Sequence, residues 1–188
     1  MCIVLRLWSN SLGEIGARHI ADLLKRNTVM KALDLGGNMI GDDGVISLAD
    51  VLHTNQSLKI LELWENNIAE RGVMGIARML QNNKRLDTID LRKNTVSDTA
   101  AKALAEAIAS NSYTKLHRVI GVDLSPYVEV MGVPPSVVPQ RDEKADERRA
   151  HRHNSIDNKA ILEHLRHKPK SKLENAVSVA APQISAEA

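Results

Sequence analysis

The chain of 188 residues contains no phenylalanine, and aromatic residues make up only 2% of it. A core without large rings must be filled by Leu, Ile, Val, Ala and Met, which suits thin, regular layers better than one broad globular centre. Cysteine is nearly absent as well. Cys2 alone excludes an intramolecular disulfide and cannot by itself hold zinc, so a reducing compartment, cytoplasm or nucleus, is expected. No apolar run approaches the roughly 20 residues that a membrane span requires. The opening "MCIVLRLW" is short, is broken by Arg6 and lacks a small-residue cleavage site, so it does not read as a signal peptide. Also missing are a G-x-x-x-x-G-K-[ST] phosphate loop, a G-x-S-x-G elbow and any Cys/His arrangement beyond the lone Cys2, which leaves a catalytic reading with little support.

What is present is a repeat. Steps of 28 align four segments without a gap: "LRLWSNSLGEIGARHIADLLKRN" from Leu5, "LDLGGNMIGDDGVISLADVLHTN" from Leu33, "LELWENNIAERGVMGIARMLQNN" from Leu61 and "IDLRKNTVSDTAAKALAEAIASN" from Ile89. Each unit changes period partway along. Leu61 and Leu63, with Glu62 and Trp64 between and after them, alternate with period 2 and predict a short strand. Apolar residues at 45, 48, 49 and 52, and again at 73, 76, 77 and 80, form the stripe of an amphipathic helix. A strand followed by a helix, repeated, predicts a parallel sheet with helices packed on one side. Gly16, Gly44 and Gly72 share the first turn of the helix, where a side chain would obstruct close packing; the fourth unit has Ala100 there.

Asn10, Asn38, Asn66 and Asn94 share a column, and Asn27, Asn55, Asn83 and Asn111 close the units. Four aligned amides could suggest a binding ladder. The structural explanation is stronger: the chain turns inward after each strand and leaves backbone N–H and C=O groups in a dry interior, where an amide that donates and accepts can satisfy them. Asp42 and Asp43 look like a carboxylate pair, but their place at the start of a repeat helix suits the dipole and the free N–H groups there.

The pattern L-x-L-x-x-N-x-[IL]-x-x-x-G-[AV]-x-x-[LI]-A-x-x-L-x-x-N closely resembles leucine-rich repeats of the ribonuclease-inhibitor class, also found in cytosolic nucleotide-binding receptors and in activators of the Ran GTPase. The resemblance covers residues 4 to about 122. It implies an α/β solenoid, a horseshoe with parallel strands on the concave face and helices on the convex face. Its functional content is broad, because such repeats serve unrelated partners.

Residues 1–135 are expected to form the repeat domain, with units starting near 5, 33, 61 and 89 and a closing cap at 112–135. Within the cap, Val119 to Val122 add a last strand; Ser125 and Pro126 open a short helix, Gly132 ends it, and Pro134 and Pro135 stop regular structure. The first unit has no comparable device, so either the chain is a fragment of a longer array or a partner covers that edge.

Residues 136–188 abandon the repeat and read as a charged, largely disordered tail with a short helix at 156–167. Residues 1–135 carry fifteen basic and fifteen acidic side chains, so the net positive charge belongs to the tail. Arg152, three residues before Ser155, marks Ser155 as a candidate phosphorylation site. The tail histidines His151, His153, His164 and His167 have no cysteine near them and no carboxylate at a characteristic spacing, so no metal site is assigned and no cofactor is expected. No aromatic is interleaved with the basic residues for base stacking, which argues against nucleic acid as the partner.

Inward-pointing leucines turn the residues between them outward. The outward columns are Arg6, Asp34, Glu62, Asp90; then Trp8, Gly36, Trp64, Arg92; then Ser9, Gly37, Glu65, Lys93. Strands about 4.8 Å apart place Trp8 and Trp64 about 10 Å apart with Gly36 between them, a slot with aromatic walls and a bare floor. Exposed Trp on a rigid sheet is a typical binding anchor, and the acidic stripe would favour a partner with a basic surface. The expected partner-binding residues are therefore Trp8, Asp34, Glu62, Trp64, Glu65, Asp90 and Arg92. The expected function is a noncatalytic protein-protein interaction module; the alternatives are a GTPase activator or regulator of the Ran-activator type, and a fragment of a larger receptor or ubiquitin-ligase adaptor. The charge split adds one further expectation, that the basic tail folds back onto the acidic face.

Overall fold

The computed structural model describes residues 3–137. The expected tail, including Ser155, the helix at 156–167 and its fold-back onto the sheet, lies outside these residues.

Five short strands, β1 (Val4–Arg6), β2 (Ala32–Asp34), β3 (Ile60–Glu62), β4 (Thr88–Asp90) and β5 (Arg118–Ile120), form one parallel sheet in the order β1-β2-β3-β4-β5. Helices α1 (Gly13–Arg26), α2 (Gly41–Leu52), α3 (Glu70–Leu80) and α4 (Asp98–Ser110) return the chain between them. The strand starts one residue earlier than the alternation suggested, at Ile60 rather than Leu61. The register repeats by 28: Val4 pairs with Ala32, Ala32 with Ile60, and Ile60 with Thr88. The last step is 30, Thr88 to Arg118, because the loop after Asn111 is longer by two residues.

The core is the layer between sheet and helices. Leu33, Leu61, Ile89 and Val119 from the strands, and Leu35, Leu63 and Leu91 just after them, are at most 1% exposed. They meet Leu48, Ile76 and Leu104 from the helices, which are equally buried. Each such aliphatic side chain contributes about 1.5–3 kcal/mol on burial. The compact packing explains the shared glycine: a Cβ on Gly44 would meet Ile40 and Ala17, and one on Gly72 would meet Asp42 and Val45, all within 3.0 Å, so each helix lies against the one before it at backbone distance.

The asparagines do the work expected of the turn. Asn66 is fully buried; its Oδ1 accepts the N–H groups of Asn38 (3.0 Å) and Ile40 (3.3 Å), and its Nδ2 donates to the carbonyls of Leu35, Leu63 and Trp64. Asn38 and Asn94 repeat this pattern one unit earlier and one later. The unit-closing residues form a second ladder, in which Asn55 Nδ2 donates to Leu24 and Asn27 carbonyls of the preceding unit and Asn111 Nδ2 to Leu80 and Asn83.

After β5 the chain makes a 3-10 turn at Ser125–Tyr127 and then helix α5 (Val128–Met131), so the expected short helix is split in two. Gly132 ends it in the left-handed conformation with φ 70°. Regular structure does not stop at the prolines: a second 3-10 turn, Pro135–Val137, follows and buries Val137 completely.

Candidate protein-binding face

The residues that follow each strand build the face opposite the helices. The sheet places Arg6, Asp34, Glu62 and Asp90 side by side in register. Their environments differ more than alternation suggested. Asp34 is only 5% exposed and Asp90 only 1%, so neither lies open on the surface, contrary to expectation. The physical reason is local: each carboxylate turns back onto the chain leaving its own strand, Asp34 Oδ1 accepting the Gly36 N–H at 3.1 Å and Asp90 Oδ1 the Arg92 N–H at 3.1 Å. The Arg92 guanidinium then caps Asp90, Nε reaching both oxygens at 3.0 Å and Nη2 reaching Oδ2 at 2.6 Å. Asp90 is thereby a support for Arg92, and Glu62, half-exposed, is the acidic side chain of this column that reaches the surface between them.

The open slot is also corrected. Trp64 is half-buried because its indole lies against Gly36, so close that any Cβ at residue 36 would collide with the ring. Gly36 is therefore the seat of Trp64 rather than the bare floor between two walls. Trp8 is half-buried on the far side of Gly36. Lys93, absent from the expected set, completes the Trp64 environment: its Nζ stands 5.9 Å from the ring centroid and 2.8 Å from Glu65 Oε2. The sequence did place Lys93 and Glu65 in one outward column, but nothing in it showed that the ammonium reaches the ring.

That column carries another property. Ser9 (φ 55°), Gly37 (φ 64°), Glu65 (φ 54°) and Lys93 (φ 57°) all adopt the left-handed backbone conformation. For a non-glycine residue this costs roughly 1–2 kcal/mol, and the asparagine ladder beneath holds it in place. The turn aims successive side chains away from the sheet at a fixed spacing. The face is thus a rigid patch in which Trp64, Glu65 and Lys93 project from fixed positions beside Glu62 and the anchored Arg92.

A separate inter-repeat staple lies at the helix starts. Asp42 Oδ1 accepts the Ala69 N–H at 2.8 Å, and Arg71 binds Asp43 at 2.8 Å. The hydrogen bond from Arg71 holds the Asp43 carboxyl below its ordinary pKa and raises that of Arg71. These aspartates serve structure at the helix N-termini, and they do so by reaching the next unit. A cleft of about 220 Å³ between the ends of α1 and α2, lined by Leu24, Lys25, Thr28, Val51 and Gln56, is smaller than the roughly 300–1,000 Å³ usual for small-ligand pockets.

Comparison with known proteins agrees with this architecture. The family model described as "Leucine Rich repeat" matches residues 26–49, 54–77 and 82–105. These residues carry leucine-rich repeats, and their pattern is consistent with the ribonuclease-inhibitor-like class. No curated protein matches the chain in sequence. Among solved structures, one described as "Leiomodin-1 Actin-Binding Site 2 (ABS2)" superposes with a TM-score of 0.61 at 16% identity, over 82% of this chain and 89% of that one. At that identity the likeness is one of fold. Among the described residues no helix is long and apolar enough to cross a membrane.

Proposed function

We propose that this chain is a noncatalytic protein-interaction module that holds a macromolecular partner on the strand face, around Trp64. The observation that carries the reading is the way Trp64 is mounted: a large amphipathic ring, half-exposed, seated on glycine and flanked by Lys93 and Glu62. A ring fixed this way loses little side-chain entropy when a partner covers it, the condition under which aromatic anchors dominate binding energy. Trp8, Glu62, Glu65 and Arg92 supply the surrounding contacts. Asp34 and Asp90 act from beneath, Asp90 by orienting Arg92. Lys93 pairs with Glu65 and Arg92 with Asp90, so acidic and basic side chains alternate across the face.

The test is affinity capture from a lysate, comparing the wild type with a Trp64→Ala, Glu62→Lys double variant shown by circular dichroism to be folded. A protein retained by the wild type and lost from the variant supports the reading and names the partner; equal capture by both removes Trp64 as an anchor. Actin, named for the leiomodin domain, is the first defined protein to try by cosedimentation, and its failure to bind leaves the strand-face reading standing.

A further inference from the structure

The fifteen basic and fifteen acidic side chains of residues 1–135 are sorted between two edges of the repeat domain. Residues 6–14, 34–42, 62–70 and 90–98, which carry the chain from strand to helix, hold eight Asp or Glu against three Lys or Arg. On the return edge, residues 25–31, 53–59, 81–87 and 109–117 hold seven Lys or Arg and a single acid, Asp87, which pairs with His117 at 2.7 Å. Helix dipoles account for part of this division, since they favour acids where helices start and bases where they end. They do not account for Lys31, Lys59 and Lys115, which lie beyond the helices and close to the strands. Arg26, Lys31, Lys59 and Lys115 pair with no carboxylate among the described residues.

The cleft of about 220 Å³ between the ends of α1 and α2 opens on this basic edge. Its lining includes the buried pair Leu24 and Val51 and the exposed Lys25 and Thr28. The sequence accounts for the space. Where this interface has Thr28, Val51 and Ser57, the next one has Gln56, Met79 and Arg85, each with a longer side chain. Arg85 Nε donates to Gln56 Oε1 at 3.1 Å, which ties a second cation to a residue that lines the cleft. Lys31 and Lys59 follow Thr28 and Ser57 within three residues, and their backbones are joined by the Lys59 N–H donating to the Lys31 carbonyl at 2.8 Å. Asn55 Nδ2 and Ser57 Oγ donate to the Leu24 and Asn27 carbonyls, which reduces the repulsion that the end of a helix would otherwise offer an anion.

We propose that this cleft and the cations around it form a second docking site, for an acidic segment of a partner polypeptide that inserts one aliphatic side chain. A cavity of about 150 Å³ already admits a benzene-sized group, so this one accepts a leucine while leaving little room for a cofactor. Lys25, Lys31, Lys59 and Arg85 then meet carboxylates on either side of the inserted residue. Nucleic acid is the poorer match, because no aromatic side chain lines the cleft for a base to stack on; the exposed Tyr113 belongs to a later return loop and has the Lys84 ammonium over its ring at 4.4 Å. The site is separate from the strand face and does not depend on Trp64.

The experiment is fluorescence anisotropy of three labelled probes titrated with the full chain at low salt: a short amidated peptide of Asp and Glu with a central leucine, the same peptide with alanine at the centre, and an oligouridylate of equal length. The leucine peptide should bind about tenfold tighter than the alanine peptide. A Lys25→Glu, Lys59→Glu variant should weaken it by at least about tenfold, an effect that shrinks as salt screens the charges. Thr28→Lys separates charge from shape. Lys84 occupies that position two units on, so the fold accepts it, and circular dichroism should be unchanged. The variant adds a cation but lays a long side chain across the cleft, so the preference for leucine over alanine should vanish. Trp64→Ala should leave binding of the leucine peptide as it was. The proposal is overturned if the leucine peptide does not bind at about 500 µM chain, a concentration that detects submillimolar dissociation constants. Equal affinity for the two peptides also overturns it, as does a leucine preference that survives Thr28→Lys. Tighter binding of the oligouridylate would reassign the edge to nucleic acid, and loss of peptide binding in Trp64→Ala would move the site to the strand face; either result sinks this proposal while leaving the reading of Trp64 to its own test.

Discussion

Replacing Asn66 by alanine removes one side chain that serves three segments at once. Its Oδ1 is the acceptor for the buried N–H groups of Asn38 and Ile40, whereas the carbonyls served by its Nδ2 each have a second donor: Asn38 Nδ2 for Leu35, Asn94 Nδ2 for Leu63 and the Gly37 N–H for Trp64. The loss therefore falls on the two donors. At about 1–3 kcal/mol for each buried group left unsatisfied, Asn66→Ala should cost about 2–6 kcal/mol. With a urea dependence of about 2 kcal/mol/M, the middle of the usual range, the unfolding midpoint should fall by roughly 1–3 M. Asn10→Ala is the control, since its Oδ1 accepts nothing among the described residues and the side chain is exposed; it should cost less than about 1 kcal/mol. Asn66→Asp separates the two ends of the amide. The carboxylate keeps both N–H acceptors but faces three carbonyl oxygens, which raises its folded pKa, so the variant should gain stability as pH falls. Equal urea midpoints for the variants at 66 and 10 would refute the account of the ladder.

Gly36→Ala should eject the Trp64 indole from its seat and shift tryptophan emission to the red; unchanged emission would mean that the ring does not rest there. Gly72→Ala, whose Cβ would press on Asp42 and Val45 of the neighbouring helix, should destabilise by about 1–3 kcal/mol in thermal or urea unfolding. Glu65→Gly relieves a left-handed backbone at φ 54° and should leave stability unchanged or raise it by up to about 1 kcal/mol, while any partner affinity falls. The pair between Asp43 and Arg71 depresses the aspartate pKa, so its contribution is present at neutral pH and lost as pH falls through the folded value. Arg71→Ala should therefore flatten the acid limb of the stability profile, as followed by circular dichroism.

The solenoid was legible because its rule is written four times. One period gives strand, turn and helix, and the asparagine at the turn can be deduced from the need to satisfy buried backbone groups. Direction was legible on the strand face; cover was not. Alternation sends Asp34 and Asp90 outward, but whether a carboxylate then folds back to a neighbouring N–H depends on a short-range turn after the strand, and a period-2 pattern carries no information about that. Gly36 was misread for a related reason. A missing side chain looks like vacant space in a column of letters, whereas in the sheet it is the place where the adjacent ring comes to rest. The staple from Asp42 to Ala69 needed the lateral distance between consecutive helices, which the shared glycines hint at but do not fix. Lys93 was visible as an outward residue and became part of the site only through its reach to Trp64.

The offset of 28 shared by the first three strand steps means that, outside loops such as the longer one after Asn111, this molecule changes length in whole units. Excising residues 33–60 would set the layer of Leu5 beside that of Leu61 with both amide ladders unbroken, while removing 27 or 29 residues would turn every later side chain to the wrong face. The same excision would take Gly36 with it and bring Trp64 directly against Trp8. Gain or loss of a unit is thus a quantised edit, which leaves the scaffold intact and rewrites the surface it displays.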